Sequence, residues 1–144
     1  MVRNIAYLFL IGLIAFTWGC QERIEREVKQ TYPDGKEKTV RYYRKDGEKK
    51  DLAREVVFYP EQQMKYEGEY RDGQRNGHWV YFYPNGKPWS EGTFKNGLSE
   101  GKRTVWYENG NKYYEGYYTA GKVTGKWCFY DENGKLVKEK DFGK

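Results

Sequence analysis

The chain has 144 residues, which predicts a single domain, and its net charge of +5 comes from interleaved cations and anions rather than a patch of one sign. Aromatic residues make up 19% of it, led by 15 Tyr, whereas Leu, Ile and Val are scarce after position 20. This composition argues against the thick aliphatic core of an α/β enzyme and against a nucleic-acid site, and it favours a thin sheet covered by amphipathic rings.

The first twenty residues, MVRNIAYLFLIGLIAFTWGC, place Arg3 before an uncharged apolar run over residues 5–18. Such a run is short for a membrane span and typical of the apolar region of a signal peptide. It ends at Gly19-Cys20, which resembles the lipobox of bacterial lipoproteins. The resemblance implies a signal peptide over residues 1–19, a lipid on Cys20, and a lipid-anchored protein of the bacterial cell envelope that faces the periplasm or the exterior.

Thr17 and Trp18 depart from the usual lipobox. An uncleaved N-terminal anchor and ordinary secretion therefore stay open as alternatives to the lipoprotein. All three place residues 21–144 outside the cytoplasm. Residues 20–31 are predicted to form a polar tether, partly helical, that leads from the lipid to the folded part.

Residues 59–144 repeat with a period of 24, and the repeat is clearest in the glycines. Residues 32–58 fit the same pattern loosely, because Tyr32 and Tyr59 are 27 positions apart and "EKKDLARE" interrupts the motif. They are predicted to form a degenerate capping repeat. The registered glycines are Gly68, Gly92 and Gly116; Gly73, Gly97 and Gly121; Gly77, Gly101 and Gly125; and Gly86, Gly110 and Gly134.

Each unit divides into two short strands and two turns. "GHWVYFYP" is β-prone, "PNGK" is predicted to be a two-residue hairpin turn, and "WSEGTFK" is the second strand. A second turn, "NGLSEG", follows, which leaves six or seven residues for each strand. The sequence therefore predicts an all-β fold: an open antiparallel meander of repeated β-hairpins in a single elongated, twisted sheet.

Gly68, Gly92 and Gly116 fall inside strands, where a bare glycine weakens pairing unless a neighbouring side chain covers it. Trp79 stands on the next strand and returns as Trp127 in a later copy, with Arg103 between them. We therefore expect aromatic rings to cover these glycines and to hold the repeats together.

The segment "YEGEYRDGQRNGHW" resembles the MORN repeat, and the longer unit with its "NGK" turn resembles the bacterial MORN-repeat variant family that carries an antitoxin-type label. The resemblance covers residues 57–144. It implies the MORN-like sheet, and through its label it suggests a neutralising partner of a toxin.

The sequence offers little for catalysis. His78 is the single His, Cys128 has no partner if Cys20 is lipidated, and no zinc set or nucleophile–base pair can be assembled. Glu67, Glu91 and Glu115 would repel each other in one row, so we expect them to pair with Lys or Arg on adjacent strands. We predict no enzyme activity, no metal and no cofactor.

The function that remains is binding to another molecule, through aromatic residues that recur at the same position of each repeat. Candidate binding residues fall into two sets on opposite sides of the sheet, and either set could be the packed layer. The expected function is a membrane-anchored, non-catalytic scaffold that binds another protein, with a glycan or cell-wall module as the alternative and no nucleic acid as a partner. The two sets are Phe82, Trp106 and Tyr130, and Trp79, Tyr81 and Trp127.

Overall fold

The structure, a computed structural model, describes residues 23–143, and the predicted signal peptide and Cys20 lie outside this range. The described residues form ten β-strands and no helix. The strands are β1 (Arg23–Thr31), β2 (Glu37–Asp46), β3 (Lys49–Phe58), β4 (Met64–Arg71), β5 (Gln74–Phe82), β6 (Pro88–Lys95), β7 (Leu98–Trp106), β8 (Lys112–Thr119), β9 (Lys122–Tyr130) and β10 (Leu136–Asp141).

All ten strands belong to one sheet, in the order of the sequence, and each strand pairs antiparallel with the next. The predicted all-β antiparallel meander is confirmed. The repeat explains the topology, because every connection is a hairpin and each strand pairs with its neighbour in the chain.

The sheet begins earlier than the sequence predicts. Arg23–Thr31 form the edge strand β1 and pair with β2, instead of the polar tether expected there. The charges of "ERIERE" make this possible, because Glu25 lies 2.6 Å from Lys45 and 3.5 Å from Lys50 across the sheet. Val28 also pairs with the fully buried Val40, so this polar-looking segment still covers apolar surface.

The hairpin turns at the two ends of the strands differ in type. At one edge Tyr83 N–H donates to the Lys87 carbonyl and Gly86 N–H donates to the Tyr83 carbonyl, which defines a three-residue loop and not the predicted two-residue turn. At the other edge Asn96 and Gly97 have φ angles of 50° and 81°, the positive pair that a two-residue turn requires. The second turn is therefore shorter than "NGLSEG", and the strands flanking it are longer than predicted.

The Tyr that precedes each of the first four three-residue loops joins one repeat to the next. Its hydroxyl donates to the backbone carbonyl of the residue that ends the following odd-numbered strand. Residues 32–58 contain the same bond as the later repeats, so the degenerate segment is built on the same plan. The bonds run from Tyr32 to Phe58 (2.8 Å), Tyr59 to Phe82 (3.0 Å), Tyr83 to Trp106 (2.7 Å) and Tyr107 to Tyr130 (3.0 Å).

The glycines inside the strands are covered as the sequence predicts. A Cβ atom added to Gly68 would lie 2.0 Å from the Trp79 ring, and one added to Gly116 would lie 2.2 Å from the Trp127 ring. The indoles therefore occupy the space that a side chain at either glycine would need. Gly92 differs, because the nearest atom to its added Cβ is Cγ of Arg103, at an ordinary 3.4 Å.

Candidate protein-binding surface

One face of the sheet, here called the aromatic face, carries Trp79 and Trp127 at the centres of two ring clusters. Trp79 is 1% exposed, and its ring lies 5.3 Å from Tyr70 and 5.8 Å from Phe94, both edge to face. Its Nε1–H donates to the Glu69 carbonyl at 3.0 Å, so the polar atom of the buried indole is also satisfied.

Trp127 repeats this arrangement near the end of the sheet. It is 5% exposed and lies 5.4 Å from Tyr114, 5.2 Å from Tyr118 and 5.9 Å from Phe142. Both tryptophan side chains are therefore buried in the packed aromatic layer of the fold. Their ring centroids lie at the distances from neighbouring rings that are expected for aromatic pairs.

The sequence-predicted binding residues do not form one surface. Trp79, Tyr81 and Trp127 share the aromatic face, where Trp79 and Tyr81 rings are 6.2 Å apart. Their neighbours along the same strands, Phe82 and Tyr130, point to the opposite face, because side chains alternate along a strand. The third member of that series, Trp106, is half-buried like the other two.

A different series is exposed, and sequence reasoning missed it. Trp89, Tyr113 and Val137 are spaced by 24 residues and are 47%, 44% and 60% exposed. Each is skipped in strand pairing: Tyr81 pairs with Ser90 while Phe82 pairs with Pro88, and the register shifts at the equivalent positions of the later repeats. We call Trp89, Tyr113 and Val137 the bulge row.

β-Bulges turn a side chain away from its regular direction, which explains why these apolar residues face solvent. Trp89 leans on Tyr81 at 5.8 Å and Tyr83 at 6.4 Å, and Tyr113 lies 4.9 Å from Tyr107. Trp89 and Tyr113 therefore border the aromatic face and contact the tyrosines that join the repeats. The spacing of its residues was visible in the sequence, but the bulge that exposes them was not.

The opposite face carries a row of ion pairs. Glu67 and Glu115 have an Arg or Lys from a neighbouring strand, as the sequence predicts, whereas Glu91 does not. His78 supplies the cation in one repeat, at the longest distance and only when protonated. The pairs are Arg54–Glu67 (3.3 Å), His78–Glu91 (3.9 Å), Lys102–Glu115 (2.8 Å) and Lys126–Glu139 (2.7 Å).

Glu115 is the most strongly held member of this row. Hydrogen bonds from Lys102 and Lys112, and from the Tyr130 hydroxyl, lower the pKa of its carboxyl group from 4.5 to about 2. Burial, followed by the hydrogen bond that its hydroxyl donates to Glu115, raises the pKa of Tyr130 to about 12.

This shift predicts a pH dependence of stability. A carboxyl group whose pKa is lowered by folding stabilises the native state above its unfolded pKa and loses that contribution as the pH falls through the folded value. Glu115→Gln should therefore lower the free energy of unfolding at pH 7, by on the order of 1 kcal/mol. The difference from the unchanged protein should shrink between pH 4.5 and pH 2. Urea denaturation at a series of pH values measures it.

Glu91→Gln is the matched control for this experiment. Glu91 occupies the same place in its repeat, but its cation is 3.9 Å away on an exposed His78. Its substitution should change stability less than Glu115→Gln does. A difference for Glu115→Gln that persists undiminished at pH 2 would contradict the assigned role of the carboxylate.

Among residues 23–143 no three His, Cys, Asp or Glu side chains are grouped so that they could hold a metal ion. Cys128 is a half-buried free thiol, 3.6 Å from a Glu139 oxygen. Within the same described range no helix is long and apolar enough to cross a membrane.

Comparison with known protein families finds three matches, to residues 75–96, 99–120 and 123–142. Each of the three segments matches the MORN repeat variant. Successive matches start 24 residues apart (99 − 75 and 123 − 99), and each covers one hairpin with its three-residue loop. A search of curated proteins found no match to this chain.

The MORN repeats favour a repeat scaffold that binds a protein or a membrane. In this chain β5 to β10 form the three matched hairpins, and the bulge row takes one residue from each of them. Each matched repeat therefore contributes one exposed residue to the bulge row.

Proposed function

We propose that this protein is a lipid-anchored, non-catalytic scaffold of the bacterial cell envelope, and that it binds another protein through the bulge row. The exposed Trp89, Tyr113 and Val137 are the observation that supports this proposal. Trp and Tyr are enriched at the energetic centres of protein interfaces, because their rings remove much apolar area from water and lose little conformational freedom.

The repeat supplies the geometry that an interface needs. Each residue of the bulge row occupies the same place in its hairpin, so the row presents apolar groups at a regular interval along one border of the sheet. Trp89 and Tyr113 are supported from below by Tyr83 and Tyr107, whose hydroxyls are fixed to the next repeat. A partner would therefore meet rings that are already positioned.

The test compares two double variants of the full-length protein. Trp89→Ser with Tyr113→Ser removes both rings of the bulge row. Leu98→Ser with Val123→Ser removes two apolar side chains of similar exposure (51% and 40%) that lie outside it. A partner cross-linked to the unchanged protein in cells should be retained at least about tenfold less by the first double variant, since loss of such an aromatic contact costs about 2 kcal/mol or more.

Equal retention by the two double variants would contradict the proposed interface. Retention of cell-wall polysaccharide by the unchanged protein, in place of a protein, would support the glycan-binding alternative. The antitoxin-type role stays a prediction from the family label, tested by whether co-expression rescues cells from a toxic neighbouring gene product.

The lipid anchor rests on the sequence of residues 1–20. Cys20 precedes the first residue of β1 by three positions, which an extended chain spans in about 10 Å. A lipid on Cys20 would therefore hold the β1 edge of the sheet close to the membrane. Palmitate labelling in cells should be present in the unchanged protein and lost in Cys20→Ala, and labelling that survives the substitution would contradict the anchor.

A further inference from the structure

The sheet ends in two edge strands. β1 and β10 are the first and last strands in the order of the sheet, so each has one paired side and one side with no described strand beside it. An edge strand presents a row of unpaired backbone N–H and C=O groups that can pair with another strand. A strand that pairs there must match both the backbone groups and the side chains of the edge.

The two lysines of β10 have no acidic partner among residues 23–143. Lys138 and Lys140 lie on the aromatic face, where Lys138 stands opposite Phe129 of β9. Their ammonium groups contact rings, at 5.9 Å from the centroid of Phe129 for Lys138 and 4.4 Å from that of Phe142 for Lys140. In the best-overlapped antiparallel pairings of two β10 strands, lysine would stand opposite lysine, which disfavours an identical edge as the partner.

The other edge carries acids on the same face. The strand register connects Glu27 to Trp79 through one row of paired residues across β2, β3 and β4, so Glu27 lies on the aromatic face. Glu25, two positions earlier, shares that face, and each of the two is bound on its inner side by a lysine of β2 or β3. One carboxylate of this sheet can take two lysines, because Glu115 binds a pair of them at 2.8 and 2.9 Å.

The backbone groups of the two edges are in phase for the same pairing. Phe142 N–H donates to the Gly125 carbonyl of β9, and hydrogen-bonding direction alternates along a strand, so Glu139 turns its N–H and C=O groups outward. We followed this alternation through the paired residues from β9 back to β1. It leaves the N–H and C=O groups of Arg26 pointing away from β2.

We propose that β10 of one copy of this protein pairs antiparallel with β1 of a second copy, so that the copies join head to tail in one continuous sheet. With Glu139 opposite Arg26, the outward backbone groups of both edges meet, and every pair in which both residues are charged is of opposite sign. A heterologous contact of this kind adds copies one after another and does not stop at a dimer. The charged pairs between copies are Lys138–Glu27, Glu139–Arg26 and Lys140–Glu25.

This assembly goes beyond the scaffold function and does not depend on the protein partner proposed there. Both edges keep the ion pairs that they make inside one copy, such as Lys126–Glu139 at 2.7 Å, and the second copy adds a cation or an anion on the outer side. Because these pairs are exposed, the association should weaken as the salt concentration rises.

Disulfide cross-linking of the full-length protein in intact cells tests the pairing. Ile24→Cys with Asp141→Cys places two thiols directly opposite each other across the proposed contact and leaves its charged pairs intact. Cys128→Ser is included to remove the free thiol of β9. Residues opposite each other in a hydrogen-bonded pair have Cα atoms about 5.5 Å apart, which is within the range of a disulfide. Mild oxidation should give a ladder of dimers, trimers and larger species on a non-reducing gel, and reduction should return it to monomer.

The single-cysteine variants are the first controls. Ile24→Cys alone and Asp141→Cys alone, each with Cys128→Ser, should stay monomeric, as should Cys128→Ser by itself. A dimer from either single variant at the yield of the double variant would show that identical edges pair, and would overturn the proposal. A double variant that yields no trimer would overturn it as well.

A charge reversal tests the register. Lys138→Glu with Lys140→Glu, added to the double-cysteine variant, should reduce the cross-linked fraction at least about fivefold, because like charges would then stand opposite each other. Lys95→Glu with Lys122→Glu makes the same change in net charge at exposed positions of β6 and β9, and should leave the fraction within about twofold. Equal losses in the two variants, or a ladder that survives the reversal of β10, would contradict the proposed pairing.

Discussion

Trp79→Ala should lower the free energy of unfolding by about 3–5 kcal/mol, the usual loss when a buried Trp is cut back to Ala. Trp79 is the least exposed large side chain among residues 23–143, and four other rings surround it. A single-layer sheet has no second layer to collapse into the cavity, so the surrounding rings would lose their contacts outright. Urea denaturation followed by far-UV circular dichroism measures the shift.

Trp89→Ala is the matched control, because it removes the same side chain from a position that is 47% exposed. Its effect should stay below about 1 kcal/mol, as is usual for surface substitutions. Comparable losses for the two variants would show that burial on the aromatic face does not hold the sheet together.

Gly68→Ala should destabilise the protein by about 1–3 kcal/mol, the range for an overpacked site. The added methyl group would lie 2.0 Å from the Trp79 ring, so the indole must move out of its cluster. Gly68 does not have a positive φ angle, so alanine itself fits the backbone and the cost comes from the ring alone. Thermal and urea unfolding both measure this cost.

Gly92→Ala provides the control at the equivalent position of the next repeat. There the added Cβ meets Cγ of Arg103 at 3.4 Å, and the substitution should be neutral or stabilising by up to about 1 kcal/mol. In a Trp79→Ala background the cost of Gly68→Ala should disappear, since the two residues would no longer interact. A cost for Gly68→Ala that survives the loss of Trp79 would contradict aromatic cover as its cause.

Several features of the site could be predicted from the sequence. The spacing of Gly68 and Trp79 predicts a ring over a glycine, and the structure places the indole there. The row of Glu67, Glu91 and Glu115 predicts cross-strand cations, because stacked acids of one sign repel each other. Both inferences use only strand pairing and charge, which a regular repeat makes visible.

Other features needed the register of the strands. Trp79 and Trp127 are candidate binding residues on the sequence alone, yet both are buried, and Trp89 and Tyr113 are the rings that face solvent. A bulge shifts the pairing by one residue, and such a shift changes the face on which a side chain lies. No composition or spacing rule shows that shift.

The amino-acid sequence by itself determined the repeat, the all-β meander and the glycines that rings must cover, because these follow from a fixed 24-residue interval and the two-residue alternation of a strand. The tertiary structure alone decided that residues 23–31 join the sheet as an edge strand and that the bulge row faces solvent. It also decided that the Arg103 side chain covers Gly92 and donates a hydrogen bond to the Ser90 hydroxyl. The reason is that exposure depends on pairing register and on which neighbour occupies each position, and those are properties of the assembled sheet.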